Sequence, residues 1–191
     1  MKKTNILILA LAIITSLGFY SCEREDEDNN GHGESTSGGG VDLALPSGLL
    51  WASRNVGANS PEDYGDYFFW TETDYSWQQH SNGGGIIPTS EEWQELFDNT
   101  TSTWTSYNGV FGILLTGTSG NSIFLPAAGC RNYSELCGAG SDGYYWSSTY
   151  LRNGPSWAWC FHFDSNYHYV NNHYDGHNHF EASIRAVHPA R

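Results

Sequence analysis

Five of the chain's eight histidines fall between His162 and His179. Imidazoles so grouped can ligate a metal, move protons, or hydrogen-bond a ligand. His177 and His179 at i, i+2 would chelate one ion with Asp175 or His173, and Cys160, His162 and Asp164 would share one face of a strand. None of these pairs has a stereotyped ligand spacing, so no metal or other cofactor is expected. From Asp164 to His179 every residue except Val170 and Gly176 is Asn, His, Tyr, Asp or Ser. Such side chains donate and accept hydrogen bonds and present flat rings at low rotamer cost, the economy also used by antibody loops. They read as a contact surface, with a solvated hairpin carrying incidental aromatics as the bland alternative. No Ser-His-Asp spacing, phosphate-cradling glycine loop or carboxylate dyad stands out, so binding is expected rather than catalysis.

The strand from Trp157 to Asp164 must position this segment. A period of two puts Trp157, Trp159, Phe161 and Phe163 on a core face and Ala158, Cys160, His162 and Asp164 on the other, free for contact. Continued through Asn166 to Asn172, the exposed parity carries Tyr167, Tyr169 and Asn171, with His168 and Val170 turned inward. A loop from His173 to His179 would form the rim. The expected ligand-binding set is therefore Tyr150, Arg152, His162, Asp164, Asn166, Tyr167, Tyr169, Asn171, Asn172, His173, Tyr174, Asp175, His177, Asn178 and His179.

Upstream, Val110–Leu115 and Ser122–Leu125 around Gly120-Asn121 predict a hairpin, and Gly143–Thr149 predicts a further strand. Pro126-Ala127-Ala128-Gly129 is a run of small residues that lets backbones approach closely. One helix is convincing: Thr89 is placed to cap it, Glu92 completes a capping box, and Trp93, Leu96 and Phe97 form its apolar stripe. Glu91, Glu92 and Glu95 suit the helix dipole and need no catalytic role. Leu43–Ala52 predicts an opening hairpin over a Pro-x-Gly turn. Five aromatics between Tyr64 and Trp70 belong to the core. These elements describe a strand-rich α+β fold with short strands, few helices and much loop, in one domain from residue 41 to 191.

The formal charge is −13, with no lysine after Lys3 and only six arginines. Phosphate neutralisation needs clustered cations, so nucleic acid is excluded as an expected partner. An acidic membrane surface would repel the domain too. Lys2 and Lys3 before the apolar run Ile6–Tyr20 predict a signal peptide over residues 1–21. The segment Leu17-Gly18-Phe19-Tyr20-Ser21-Cys22 resembles a lipobox, which makes Cys22 the expected lipidation site, and the acidic run Glu23–Asp28 resembles a surface-export signal of Bacteroidota lipoproteins. Residues 22–40 hold no large apolar side chain after that run and predict a flexible tether with a reach of about 20–25 Å. The expected location is the outer membrane, lipid-anchored and facing outward. Of the remaining cysteines, Cys130 and Cys137 flank a short loop and are expected to pair, a bond worth about 2–3 kcal/mol, leaving Cys160 free.

Leu45-Pro46-Ser47-Gly48-Leu49-Leu50-Trp51-Ala52, Asn55-Val56-Gly57, Tyr64-Gly65-Asp66-Tyr67, Pro88-Thr89 with Glu92-Trp93, Ile123-Phe124-Leu125-Pro126-Ala127-Ala128-Gly129, Gly143-Tyr144-Tyr145-Trp146-Ser147-Ser148 and Ile184-Arg185-x-Val187 together resemble the Fibrobacter succinogenes major paralogous domain family. The resemblance spans residues 41–191. It implies a C-type-lectin-like fold of the sulfatase-modifying-factor type and a surface lipoprotein that binds a protein or glycan. A structural or assembly subunit of a surface appendage is the alternative, and a metal-dependent enzyme of the formylglycine-generating type a third. Those enzymes bind copper through two cysteines near the C-terminus, where this chain has only Cys160. The Glu-Pro-Asn and Gln-Pro-Asp motifs of calcium-dependent sugar binding are absent. Some proteins of this fold are diversified by retroelements that mutate adenines near the C-terminus, and mutated Asn codons yield the Asn, Tyr, His, Asp and Ser found from Asp164 to His179.

Overall fold

The computed structural model describes residues 40–70, 85–150, 157–175 and 179–189. The expected signal peptide, tether and Cys22, together with Arg152, His177 and Asn178, lie outside the described residues. Within them the chain is strand-rich with one short helix and several small antiparallel sheets.

The helix, α1 (Ser90–Asp98), starts where the sequence places it. Thr89 Oγ1 accepts from the Glu92 amide at 3.2 Å, and Glu92 Oε2 accepts from the Thr89 amide at 2.7 Å, which closes the capping box. Its buried face, Trp93, Leu96 and Phe97, lies on an aromatic floor: Trp93 stacks on Phe161 with centroids 4.8 Å apart, and Phe97 meets Phe161 at 4.6 Å. The Ser90 amide donates to Thr149 Oγ1 at 3.0 Å, tying the helix start to the strand below it.

That strand is β9 (Gly143–Tyr150), an outer member of a three-stranded sheet whose centre is β10 (Trp157–Phe163) and whose far edge is β11 (His168–Asp175). Two core clusters enclose β10. Trp51, Trp93, Tyr145, Phe161 and Phe163 belong to one, and Val56, Phe68, Trp146, Ala158, Cys160 and Ile184 to the other. Burying both faces of a central strand explains why Ala158 and Cys160, expected to be free for contact, are fully buried. The register slips between Cys160 and His162 against β11 and between Ala158 and Cys160 against β9. Such bulges place extra residues on the partner strands and turn a sheet locally.

Three further sheets surround this one. In chain order, β1 (Val41–Asp42) pairs β2 (Leu50–Trp51), an opening hairpin whose first strand lies ahead of the expected Leu43–Leu45, and β3 (Phe68–Phe69) follows. Then β4 (Thr100–Tyr107), β5 (Val110–Gly117) and β6 (Ser122–Pro126) form a meander. The sequence predicts β5 and β6 but not β4, whose Thr/Ser run alternates no apolar residues. The turn joining β4 to β5 is Asn108-Gly109, with φ of 49° and 84°, the left-handed pair of a tight hairpin. Strands β7 (Cys130–Asn132) and β8 (Glu135–Cys137) form a second tight hairpin over Tyr133-Ser134. Last come β12 (Phe180–Ala182), which joins β3 to β7, and β13 (Val187–His188), which pairs β2.

The motifs that carry the family resemblance meet at one buried cation. Arg185 is fully buried and donates from Nε to Asn55 Oδ1 at 3.0 Å, from Nη1 to the Ala52 carbonyl at 2.9 Å and from Nη2 to the Phe124 carbonyl at 2.8 Å. Asn55 Nδ2 donates onward to the Tyr64 carbonyl and to Tyr145 Oη, whose hydroxyl donates to the Pro126 carbonyl at 2.8 Å. Burial lowers the Arg185 pKa to about 10, which still leaves it charged at neutral pH. Burial likewise pushes the Tyr145 phenol up to about 12. Segments 130 residues apart in sequence are thereby fastened by neutral acceptors.

The expected Cys130–Cys137 disulfide is not formed. The two residues are direct partners across the β7–β8 hairpin, but both are thiols, and Cys137 Sγ donates to the Cys130 carbonyl at 3.3 Å. Counting from the two-residue turn, Cys130 and Cys137 occupy a hydrogen-bonded pair, in which side chains stand further apart than a disulfide prefers. Burial first, then the neighbouring Cys137 thiol, raises the Cys130 pKa.

Candidate functional site

The β9–β10–β11 sheet carries two of the exposed aromatics among the described residues, Tyr167 and Tyr169, beside His162; Tyr107, Phe111 and Tyr133 are exposed on other hairpins. His162, near the end of β10, has Tyr144 of β9 on one side and Tyr169 of β11 on the other as direct cross-strand partners. Their rings make a row: Tyr144 to His162 is 4.3 Å at 10°, His162 to Tyr169 is 6.2 Å at 14°, and Tyr169 to Tyr167 is 6.3 Å at 29°. The row grades from interior to solvent. His162 keeps 13% of its side chain accessible, while Tyr169 and Tyr167 are 51% and 63% exposed.

The inner end is anchored by polar contacts. His162 Nε2 lies 3.0 Å from Asp142 Oδ1, and Ser141 Oγ donates to the other carboxylate oxygen at 2.6 Å. The Asp142 main chain is itself fastened, accepting from the Gly129 amide at 2.7 Å and donating to the Gly138 carbonyl at 2.8 Å. His162 Nδ1 is buried and has no hydrogen-bond partner among the described residues. Phe180 packs edge-on against Tyr144 at 5.6 Å, closing the row from below.

The outer end rests on one carboxylate. Asp164 Oδ1 accepts from the amides of Asn166 at 2.6 Å and Tyr167 at 2.9 Å, and the Asp164 amide donates to the Tyr167 carbonyl. Those two backbone donors hold the Asp164 pKa below its ordinary value. Asp164 and Asn166 thus shape the β10–β11 turn rather than offering both oxygens outward.

Other expected site residues scatter. Asn171, Asn172, His173, Tyr174 and Asp175 continue β11 and pair along β10, with Asn172 opposite Cys160 and Asp175 opposite Trp157. The expected loop from His173 is therefore strand to Asp175, and the bulge between Tyr169 and Asn172 interrupts the period of two from which the exposure of Asn171 was inferred. Tyr150 ends β9 opposite Ala158. His168, expected inward, sits at the surface with its ring stacked on Phe97 at 4.4 Å, whereas Val170 does pack on the core. His179 stacks on Tyr133 at 4.0 Å, beside the β7–β8 turn. The sequence reading missed Asp142 and Tyr144. A signal was present, since Asp142-Gly143-Tyr144 opens the strand that must flank His162.

Among the described residues no group of three or more His, Cys, Asp or Glu is arranged to hold a metal. Cys160 is fully buried, its thiol donates to the Phe161 carbonyl, and burial raises its pKa well above the ordinary thiol value. A thiol so placed is a packed side chain rather than a nucleophile.

Residues 116–187, which contain every described member of the row and Arg185, match a family described only as a domain of unknown function (DUF8237). No curated protein and no solved structure matches the chain.

Proposed function

We propose that the chain is a lipid-anchored surface protein of the outer membrane whose C-type-lectin-like domain binds a protein or glycan without catalysing a reaction. The motif resemblance supports the fold, and the apolar leader ending at Cys22 supports the anchor. The observation that carries the binding role is the row Tyr144, His162, Tyr169 and Tyr167, whose outer two rings stand half or more exposed on strands fastened to a buried core. A cluster of exposed rings with polar tips offers both apolar faces and hydrogen bonds to a ligand, and Tyr is enriched where proteins touch partners. A sugar's C–H face or an extended peptide suits such a row.

Screening purified chain against glycan arrays and surface-protein extracts tests this, comparing wild type with Tyr167→Ala, Tyr169→Ala and their combination. Each single change should weaken any ligand found by about tenfold, the size of a modest aromatic hot spot. Binding unchanged in the double variant would remove the row from the site.

A further inference from the structure

Among the described residues, strand β4 is an unpaired edge of its sheet. It is eight residues long, Thr100-Thr101-Ser102-Thr103-Trp104-Thr105-Ser106-Tyr107, and its register with β5 runs unbroken from Thr100↔Gly117 to Tyr107↔Val110. Natural edges are blunted by lysine, proline, bulges or inward charges, and β4 has none of these. It also carries no ionisable carboxylate or ammonium in a chain of formal charge −13. The two-residue turn after Tyr107 makes Tyr107↔Val110 the pair that exchanges both backbone bonds. Alternation then turns the N–H and C=O of Ser102, Trp104 and Ser106, with Thr100 at the end, away from β5. Among the described residues no main-chain group meets them, and Thr101, Ser102 and Thr103 are exposed.

We propose that β4 is a self-association edge, on which two copies of the chain pair antiparallel about a two-fold axis at Thr103. The occupant is a second copy because the strand is complementary to itself in one register. Matching all four outward-facing residues at once requires Ser102 opposite Trp104 of the other copy and Thr100 opposite Ser106, which supplies about eight inter-chain hydrogen bonds at two per pair, against about six in the neighbouring registers. The same register sets Thr103 against Thr103 and Thr101 against Thr105, pairs that sheets favour. Every residue in this ladder, from Thr100 to Ser106 on both copies, is uncharged, so no carboxylate faces another along it. Two copies repel one another over most of their acidic surface, and the neutral strand is where approach costs least. An isologous contact of this kind closes at two and does not propagate through β4.

The area of a single strand pair is below that of a standard interface, so the dimer is weak and concentration-dependent. Screening the general repulsion should strengthen it, and added salt should shift the equilibrium toward dimer rather than away. The test uses the full chain in detergent. Sedimentation equilibrium should show monomer and dimer, with at least a fivefold tighter dissociation constant in 0.5 M than in roughly 0.02 M salt. Thr103→Cys should give a disulfide-linked dimer under mild copper–phenanthroline oxidation, well above the wild-type background from the native cysteines. Thr105→Cys alone should not, but should cross-link when mixed with Thr101→Cys. Thr103→Lys opposes two ammonium groups at the axis and should weaken the dimer at least tenfold while circular dichroism stays that of the wild type. The proposal is overturned by a monomer at all concentrations, by equal cross-linking of Thr103→Cys and Thr105→Cys, or by Ser102 and Trp104 amides protected from exchange in a monomer. That last result would mean that another segment of the same chain fills the edge.

Discussion

Replacing Arg185 with methionine keeps much of the side-chain volume and deletes the cation that ties its own segment to Ala52–Asn55 and to Phe124. Three acceptors lose their donor: Asn55 Oδ1, the Ala52 carbonyl and the Phe124 carbonyl. Each buried acceptor left unpaired costs about 1–3 kcal/mol, a gross loss of roughly 3–9 kcal/mol if nothing rearranges. Against this, the folded protein no longer holds a guanidinium out of water, which returns several kcal/mol. The net expectation is a destabilisation of about 2–4 kcal/mol, a large share of the roughly 5–15 kcal/mol that holds a domain of this size together. Urea unfolding followed by tryptophan fluorescence measures it: the midpoint should fall with little change in slope. Asn55→Ala should cost less alone, and the double variant less than the sum, because Asn55 links Arg185 to Tyr145 and Tyr64. A loss under about 1 kcal/mol for Arg185→Met would refute the reasoning, since it would mean that desolvating the cation cancels all three bonds.

Other expectations follow from single contacts. Thr89→Ala removes the acceptor for the Glu92 amide and should lower stability by about 1 kcal/mol, readable as a drop in melting temperature, whereas Thr89→Ser should not. Burial lowers the His188 pKa, so its neutral form is favoured in the folded state. That contribution is present above the unfolded value near 6.5 and is lost as pH falls through the lower folded value, and His188→Gln should flatten the stability–pH curve in that window. Iodoacetamide near neutral pH should modify the exposed Cys137 well before Cys130 or Cys160, whose buried thiols are held protonated. A mass spectrum showing Cys130 alkylated first would contradict the placement.

The parts of the fold legible in the sequence are those with a local cause. The capping box at Thr89 and Glu92 and the apolar stripe of α1 are set by neighbours within one or two turns, and the structure reproduces them. The turn at Gly120-Asn121 likewise places β5 against β6. What escaped has a distant cause. Ala158 and Cys160 look like the polar-side parity of a half-buried strand, yet β10 lies between two core clusters, and only tertiary packing decides that both faces are covered. The period of two turns His168 toward Phe97 of α1, but at the edge of the sheet its ring stays at the surface, and the slip between Tyr169 and Asn172 leaves no compositional mark. The Thr/Ser run of β4 hid a strand because its alternation is polar on both faces except at Trp104. At the site, Tyr167 and Tyr169 were legible from composition, while Asp142 was not, because its contact with His162 crosses 20 residues and two strands.

The β10–β11 turn is closed by Asp164, whose Oδ1 receives two amides and whose own amide meets the Tyr167 carbonyl, while the side-chain bond within the turn runs locally from Asn166 Nδ2 to Ser165 Oγ at 3.1 Å. The side chains of Ser165, Asn166 and Tyr167 therefore enter none of the bonds that tie the turn to Asp164. A chain built this way tolerates wholesale exchange of what it displays at its outermost point, because the scaffold recognises backbone there and not side chains. Diversity at residues 165–167 costs the fold little as long as position 164 stays Asp, and a library randomised at those positions over a fixed Asp164 should stay largely folded.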